Sequence, residues 1–370
     1  MYFMVVPVQS HARLIVASVT VLAATLGTNA IAQAGTIRHD RADAEYLDLA
    51  TLFPSVGYLR ARNDGGGWTC SGTLIDASYV LTAAHCVESP EGYLTQGSFS
   101  VGGSRYGIAG VTAHEGWFSS NRQLLSGTDI AILLLDRAVA NVNPAELFRG
   151  TNEHLQLGTY VGYGLTGNGL TGSIPGSGGT KRAGQNIIAL GGQLSRYGYN
   201  DKLLVSNFSD PRRAGSNPFN TAQHLEYQLS SGDSGGGLFI NNQVAGVHSF
   251  ISDRSGGKID SNYGEFSASV RVFDHLNWIR NQITNLAIRF NRPASERITS
   301  LGQGTTVTEL PSTSGNNFTP SSAAVQDWDN LPEQPESVPE PNLVWGLCGL
   351  GLFGWLGRRK WKNAPTAPKR

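Results

Sequence analysis

The chain has 370 residues, and its 28 basic residues balance its 28 acidic ones, so the formal net charge at pH 7 is zero. Nucleic acid is bound mainly through clustered positive charge, and no Lys/Arg stripe runs through the region predicted to fold, which argues against nucleic acid as a partner. No cluster of histidines and cysteines has the spacing of metal ligands, so we expect no metal and no cofactor.

Residues 1–34 have the pattern of a secretory signal peptide. Arg13 ends a short charged region, residues 14–26 are apolar, and Ala32-Gln33-Ala34 offers a cleavage site of small residues. The apolar run of about 13 residues is shorter than the roughly 17 to 25 residues that cross a bilayer. We therefore expect cleavage after Ala34 rather than an uncleaved anchor.

Short stretches with strand-like alternation or continuous apolar residues then recur between turns rich in Gly, Asn and Ser. They cover residues 56–61, 69–75, 79–82, 130–135, 160–165, 203–207, 244–250 and 266–272. Many short strands of this kind are typical of an all-β barrel or sandwich. Residues 166–180, rich in Gly, Ser and Thr, predict a surface loop. Apolar residues recur at helical spacing from Phe273 to Leu286 and predict a closing helix.

Three short segments carry the residue types of nucleophilic catalysis. Residues 81–86 contain His85, residues 127–131 contain Asp129, and the run Ser-Gly-Asp-Ser-Gly-Gly-Gly at 231–237 places Ser234 between glycines. Flanking glycines leave a serine hydroxyl uncovered and the neighbouring N–H groups free to face a substrate. A serine needs a base to take its proton, and the order His, Asp, Ser belongs to one architecture of acyl-transfer enzyme.

Ser234 also fits a different motif, Gly-x-Ser-x-Gly, which is the nucleophile elbow of α/β-hydrolases such as esterases. In that fold a helix follows the serine, and the order is serine, acid, histidine. Here residues 237–240 and 244–247 predict two strands around an Asn241-Asn242 turn. An esterase-type hydrolase that uses His248 remains the alternative.

Together the three segments resemble the chymotrypsin-like (trypsin-like) serine peptidase family, over roughly residues 55–286. The resemblance implies two six-stranded Greek-key β-barrels with a C-terminal helix, His85 and Asp129 on the first barrel and Ser234 on the second. It also implies that Ser234 is the nucleophile, that His85 is its base and that Asp129 orients the histidine. The backbone N–H groups of Gly232 and Ser234 would form the oxyanion hole.

The same resemblance implies a disulfide and a substrate pocket. Cys70 and Cys86 would be bonded, which requires an oxidising compartment outside the cytoplasm. Gln228 corresponds to the base of the primary (S1) pocket, and Ser249 and Ile251 to its wall. The absence of an acidic residue at 228, and an isoleucine where glycine would leave the pocket open, predict a neutral or restricted pocket.

Activation departs from the family pattern. Relatives are switched on when a new Ile or Val amino terminus pairs with the acid before the nucleophile, here Asp233. The candidate is Ile37, but no basic residue precedes it, and signal cleavage would leave Gly35 first. The alternative is that a side chain pairs with Asp233.

The C-terminal part of the chain changes in composition. Residues 291–337, rich in Ser, Thr, Pro, Asn and Gln, predict a disordered linker after a peptidase domain at 35–290. Residues 338–370 carry Val338-Pro339-Glu340-Pro341, an apolar run of about 14 residues and a basic Arg358-Arg359-Lys360 end, and they resemble a PEP-CTERM sorting signal of bacterial exported proteins. By resemblance an exosortase-type enzyme would cut near the motif after transient membrane anchoring; a plain membrane anchor is the alternative.

These observations favour an exported serine endopeptidase of the bacterial cell surface or the extracellular space, acting on protein or peptide substrates. The alternatives are an esterase-type serine hydrolase and a catalytically silent surface-binding homologue. The complete set of three catalytic residue types disfavours the silent homologue.

Overall fold

The computed structural model describes residues 35–253, 258–295 and 298. The predicted signal peptide, nearly all of the predicted linker and the predicted sorting signal lie outside these residues. Every helix within them is too short or too polar to cross a membrane.

The described residues form twenty strands and three α-helices, together with short 3-10 turns. In chain order the strands are β1 (Gly35–Ile37), β2 (Val56–Asn63), β3 (Gly66–Asp76), β4 (Tyr79–Thr82), β5 (Glu88–Ser89), β6 (Gly92–Tyr93), β7 (Gln96–Val101), β8 (Ser104–Ala113), β9 (Ala131–Leu135), β10 (Glu146–Leu147), β11 (Leu157–Gly162), β12 (Thr166–Asn168), β13 (Gly172–Ser173), β14 (Arg182–Ile187), β15 (Ala189–Leu190), β16 (Leu203–Asn207), β17 (Tyr227–Gln228), β18 (Gly237–Ile240), β19 (Gln243–Ser252) and β20 (Phe266–Arg271). The helices are α1 (Asp43–Ala50), α2 (Glu115–Ser119) and α3 (Leu276–Phe290).

The first half of the fold is a closed barrel of six strands in the order β2-β3-β4-β9-β8-β7. All six neighbouring pairs are antiparallel. Large apolar side chains that are wholly removed from solvent belong to its core, among them Leu59, Leu74, Val80, Phe99 and Leu133. The barrel closes because each strand presents such residues to the same interior.

The second half is an eight-stranded sheet in the order β14-β11-β18-β19-β20-β16-β15, with β10 paired to β19. Its six longer strands correspond to the expected second barrel, and β10 and β15 add two residues each. β14 and β15 form the two ends of this sheet and do not pair with each other, although only Ile188 separates them in the chain, so this half of the fold is a half-barrel. The predicted all-β, two-barrel fold with a C-terminal helix is confirmed.

A small third sheet surrounds the first described residues. β1 lies between β12, to which it runs parallel, and β17, to which it runs antiparallel. The prediction of a loop for residues 166–180 was therefore wrong in part, because β12 and β13 form there. Thr166 is buried, and its hydroxyl donates to the Gly35 carbonyl at 2.5 Å. Backbone pairing supplies the hydrogen bonds of a strand even where side chains are small and polar.

The described chain continues to contact the first barrel beyond α3. The Tyr79 hydroxyl donates to the Arg292 carbonyl at 2.7 Å, and the Ser295 N–H donates to Asp76 at 3.1 Å. Ile298 is only 1% exposed. Contacts with the barrel thus extend past residue 290.

Candidate active site

Two neighbouring strands of the closed barrel bring His85 and Asp129 together. β4 leads into the 3-10 turn Ala84–Cys86, which carries His85, and Asp129 lies two residues before the start of β9. β4 and β9 pair directly, with Thr82 opposite Ala131. The two side chains therefore meet at one end of the barrel although 44 residues separate them in the chain.

The Asp129 carboxylate is fully buried and accepts three hydrogen bonds. Its Oδ1 accepts the backbone N–H of His85 at 2.9 Å, and its Oδ2 lies 2.7 Å from His85 Nδ1 and accepts the Ser249 hydroxyl at 2.5 Å. Burial on its own would raise the pKa of Asp129, but the charge of His85 and the donated hydrogen bonds outweigh it and lower that pKa. An ionised carboxylate here keeps the proton of the imidazole on Nδ1 and leaves Nε2 as the basic nitrogen.

The loop that carries Ser234 runs from β17 to β18 and is held by Ser71 of β3. The Ser71 N–H donates to the Ser234 carbonyl at 2.8 Å, and the Ser71 hydroxyl donates to the Gly232 carbonyl at 2.9 Å. Gly232 has a φ of +94°, a conformation that favours glycine. Gly232 and Ser234, the two predicted oxyanion donors, are thus both fixed to the first barrel through their carbonyls.

Cys70 and Cys86 form the predicted disulfide, which confirms that pairing. Cys70 directly precedes Ser71, and Cys86 directly follows His85. The bond therefore ties the turn that carries the histidine to the strand that holds the Ser234 loop. Both sulfurs lie near the His85 ring, but their bond to each other removes them as metal ligands.

Asp233, between the two predicted oxyanion donors, has a fully buried carboxylate. Its Oδ1 accepts the Gly164 N–H at 2.8 Å and the Tyr227 hydroxyl at 3.1 Å, and its Oδ2 accepts the Ser230 N–H at 2.9 Å. Ile37 is the last residue of β1 and pairs with Tyr227 in β17.

The structure gives the three predicted pocket residues different surroundings. Gln228 is fully buried, and its Oε1 accepts the Ser267 hydroxyl at 2.7 Å. Ile251 is 9% exposed and pairs with Ser267 across β19 and β20. The Ser249 hydroxyl donates to Asp129, so this side chain contacts the His85–Asp129 pair.

His248, the histidine of the esterase alternative, faces a different environment. It is fully buried, its Nδ1 lies 3.1 Å from the Ser269 hydroxyl, and burial lowers its pKa to about 3. The chain after Ser234 continues into β18, whereas the elbow of an α/β-hydrolase leads into a helix.

Sequence patterns missed two residues of the site, Ser71 and Tyr227. Neither belongs to a recognisable motif. The only signal for Ser71 is its position beside Cys70, and Tyr227 carries none beyond lying six residues before the conspicuous acid Asp233.

Comparison with known proteins agrees with this architecture. The family model described as Trypsin matches residues 50–180. Chymotrypsin-like elastase family member 1 of Macaca fascicularis is 31% identical over 248 residues, which cover 62% of this chain and 84% of that protein. A putative peptidase of Corynebacterium glutamicum is 28% identical, and the match covers 71% of this chain and 80% of that protein. A chymotrypsin of Phaedon cochleariae is also 28% identical, and the match covers 60% of this chain and 75% of that protein. Among solved structures, HL collagenase is 20% identical with a TM-score of 0.49, and the match covers 64% of this chain and 95% of that one. The chain therefore belongs to the trypsin family of chymotrypsin-like serine proteases.

Proposed function

We propose that this protein is an exported serine endopeptidase that hydrolyses peptide bonds through Ser234, His85 and Asp129. The observation that carries the proposal is the buried Asp129 carboxylate, which binds both the ring and the backbone N–H of His85. A structural histidine would not need two hydrogen bonds to one buried carboxylate. A histidine that acts as a base does need them, because they hold its ring in one tautomer and one orientation.

Each residue has a defined part in the proposed reaction. The Ser234 Oγ attacks the carbonyl carbon of the substrate while His85 Nε2 takes its proton, and Asp129 stabilises the imidazolium without accepting a proton itself. The N–H groups of Gly232 and Ser234 stabilise the negative oxygen of the tetrahedral intermediate. His85 then gives the proton to the leaving amine, and an acyl-enzyme remains on Ser234. Water releases the acid by the same steps in reverse, with His85 as its base.

We further propose that the substrate pocket is short and uncharged at its base. Gln228 is neutral, fully buried and already bonded to Ser267, and the family resemblance assigns the bulky Ile251 to the pocket wall. Both features favour small or neutral side chains over Arg or Lys next to the cleaved bond. The similarity to a chymotrypsin-like elastase is compatible with this preference.

The proposal also includes export and sorting. Residues 1–34 would direct secretion, and an exosortase-type enzyme would process residues 338–370 after transient membrane anchoring, leaving the protease at the bacterial surface or outside the cell. The disulfide of the folded part fits an oxidising compartment. The intact mass of the mature protein tests this step, because retention of Cys348 and the basic tail would exclude sorting.

A fluorophosphonate probe, which reacts with activated serines, tests the proposed chemistry. We expect the purified protein to be labelled and to cleave a protein substrate, and Ser234→Ala to lose both properties. His85→Ala should lose about 10⁴-fold or more in kcat. Ser231→Ala, in the same loop, is the matched control and should be labelled normally.

Each other outcome has a defined meaning. Cleavage by Ser234→Ala and His85→Ala at the parental rate would refute the mechanism. Labelling with cleavage of esters but not of peptides would favour the esterase alternative. A parent protein that is neither labelled nor active would favour the silent homologue.

A further inference from the structure

The carboxylate of Asp233 controls the geometry of the loop that carries the nucleophile. Asp233 lies between Gly232 and Ser234, so the orientation of both proposed oxyanion donors depends on how its side chain is anchored. Its carboxylate accepts hydrogen bonds from two backbone N–H groups, those of Gly164 and Ser230, and from one side chain, the Tyr227 hydroxyl at 3.1 Å. A substitution does not remove a backbone N–H donor, whereas replacing Tyr227 removes its hydroxyl donor.

The state of Tyr227 suits it to donate this bond permanently. Tyr227 is fully buried, with 0% of its surface accessible to solvent. Burial and then the neighbouring charge of Asp233 hold its pKa well above the ordinary value of a tyrosine. The hydroxyl therefore stays protonated at neutral pH and donates a hydrogen bond to the carboxylate.

The position of the Tyr227 ring is fixed by the first described strand. β1 pairs with β17, so that Ile37 lies opposite Tyr227. Gly35 passes so close to the ring that a β-carbon at this position would lie 1.9 Å from Cζ and 2.1 Å from the hydroxyl oxygen. No side chain other than that of glycine fits there without displacing the ring. The chain next to the predicted cleavage site thus packs directly against the residue that binds Asp233.

On this geometry we propose that Tyr227 is a positioning residue of the active site, which holds Asp233 and through it the oxyanion-hole loop, with β1 locking its ring in place. The inference rests on the proposed function, because it assigns the loop a role in catalysis. In this inference, Tyr227 is the side chain that pairs with Asp233, the acid before the proposed nucleophile. Loss of the hydroxyl should affect the transition state more than substrate binding, because the oxyanion forms only in the transition state.

The test compares two buried tyrosines that both donate a hydrogen bond near β17. Tyr227→Phe removes the bond to Asp233, and the control Tyr46→Phe removes a bond to the Glu226 carbonyl at 3.1 Å. We expect Tyr227→Phe to lower kcat about 10- to 100-fold with KM within twofold, since loss of a whole oxyanion donor costs about 10²- to 10³-fold. Tyr46→Phe should keep the parental kcat at a comparable loss of thermal stability.

A second variant keeps the inference testable if Tyr227→Phe does not fold. Gly35→Ala leaves the Tyr227 side chain chemically intact but displaces its ring, and it should also lower kcat. A folded Tyr227→Phe with kcat within twofold of the parent, or a Gly35→Ala with parental kcat, would overturn the inference. So would an equal loss of kcat in Tyr46→Phe, which would indicate a merely structural effect.

Ser234→Ala is measured alongside to separate the two hypotheses. If Ser234→Ala is inactive and Tyr227→Phe is fully active, this inference alone fails. If Ser234→Ala still cleaves the substrate at the parental rate, the proposed function fails and the inference fails with it.

Discussion

At the scale of single residues, the Ser71 side chain joins the two halves of the site. Its hydroxyl accepts the Tyr163 N–H at 2.9 Å and donates to the Gly232 carbonyl at 2.9 Å, and the residue is fully buried. Its own N–H binds the Ser234 carbonyl. Because the disulfide ties the preceding residue, Cys70, to the turn that carries His85, one strand positions both this turn and the loop that carries Ser234.

Ser71→Ala should therefore lower both stability and activity. It leaves the Tyr163 N–H and the Gly232 carbonyl without their hydroxyl partner, which costs about 1–3 kcal/mol for each group that stays buried and unpaired. We expect a lower melting temperature and a kcat reduced about tenfold, because the loop that carries Gly232 loses one anchor. Ser98→Ala, which removes a buried hydroxyl without a hydrogen-bond partner among the described residues, is the control. A kcat within twofold of the parent in Ser71→Ala would contradict the assigned role.

The sequence predicts the residues that belong to a recognisable motif. It does not predict residues that contribute only a hydrogen bond from the right place in the fold. His85, Asp129 and Ser234 stand in recognisable contexts, and the two cysteines follow from the same resemblance. Ser71 was invisible because its partner at Gly232 is 161 residues away and is a backbone group. Any serine can bind a carbonyl, so only the folded chain shows which one does.

At the scale of elements, apolar runs and alternation located the strands of the barrel cores and missed those whose side chains are polar or small. The segments predicted at 130–135 and 266–272 nearly coincide with β9 and β20. β14, with the sequence Arg-Ala-Gly-Gln-Asn-Ile, escaped detection although six of its residues pair with β11. Its buried Arg182 is retained by two hydrogen bonds to Asp43 of α1, a partner that no local pattern reveals.

The strand β19 carries the prediction about specificity. Ile251→Ala should open the wall of the proposed pocket and raise kcat/KM for substrates with Leu or Phe before the cleaved bond, relative to Ala, by about tenfold or more. Cleavage of matched peptides that differ only at this position measures the shift. Ile188→Ala, in the same buried cluster, is the control: both variants should lose about 2–4 kcal/mol of stability, but only Ile251→Ala should change preference. An unchanged preference in Ile251→Ala would place the pocket elsewhere.

At the scale of the whole molecule, the buried acid Glu226 couples stability to pH. Its side chain is fully inaccessible, its Oε1 accepts the Ser209 N–H at 3.1 Å, and its Oε2 has no hydrogen-bond partner among the described residues. Burial raises the pKa of Glu226 to about 8, against the lowering effect of the Ser209 hydrogen bonds and of the Arg38 charge. The folded protein therefore keeps a proton on Glu226 that the unfolded chain releases near its ordinary pKa.

The consequence is that the contribution of Glu226 to stability falls as pH rises through the neutral range. Between about pH 4.5 and pH 8 the folded state binds more protons at Glu226 than the unfolded state does, so this contribution to the free energy of unfolding decreases with pH and levels off above pH 8. Glu226→Gln cannot ionise, so it should melt at a higher temperature than the parent at pH 8.5, by about 2–4 °C for each kcal/mol of stability gained, while matching it near pH 4.5. The remaining pH dependence has opposing parts, because burial raises the pKa of Glu265 but lowers the pKa of His248 and of His275 to about 3. Thermal melts across this pH range measure the difference, with exposed Glu146→Gln as the control. If the melting temperatures of Glu226→Gln and the parent change in parallel from pH 5 to 8.5, Glu226 does not couple stability to pH as argued here.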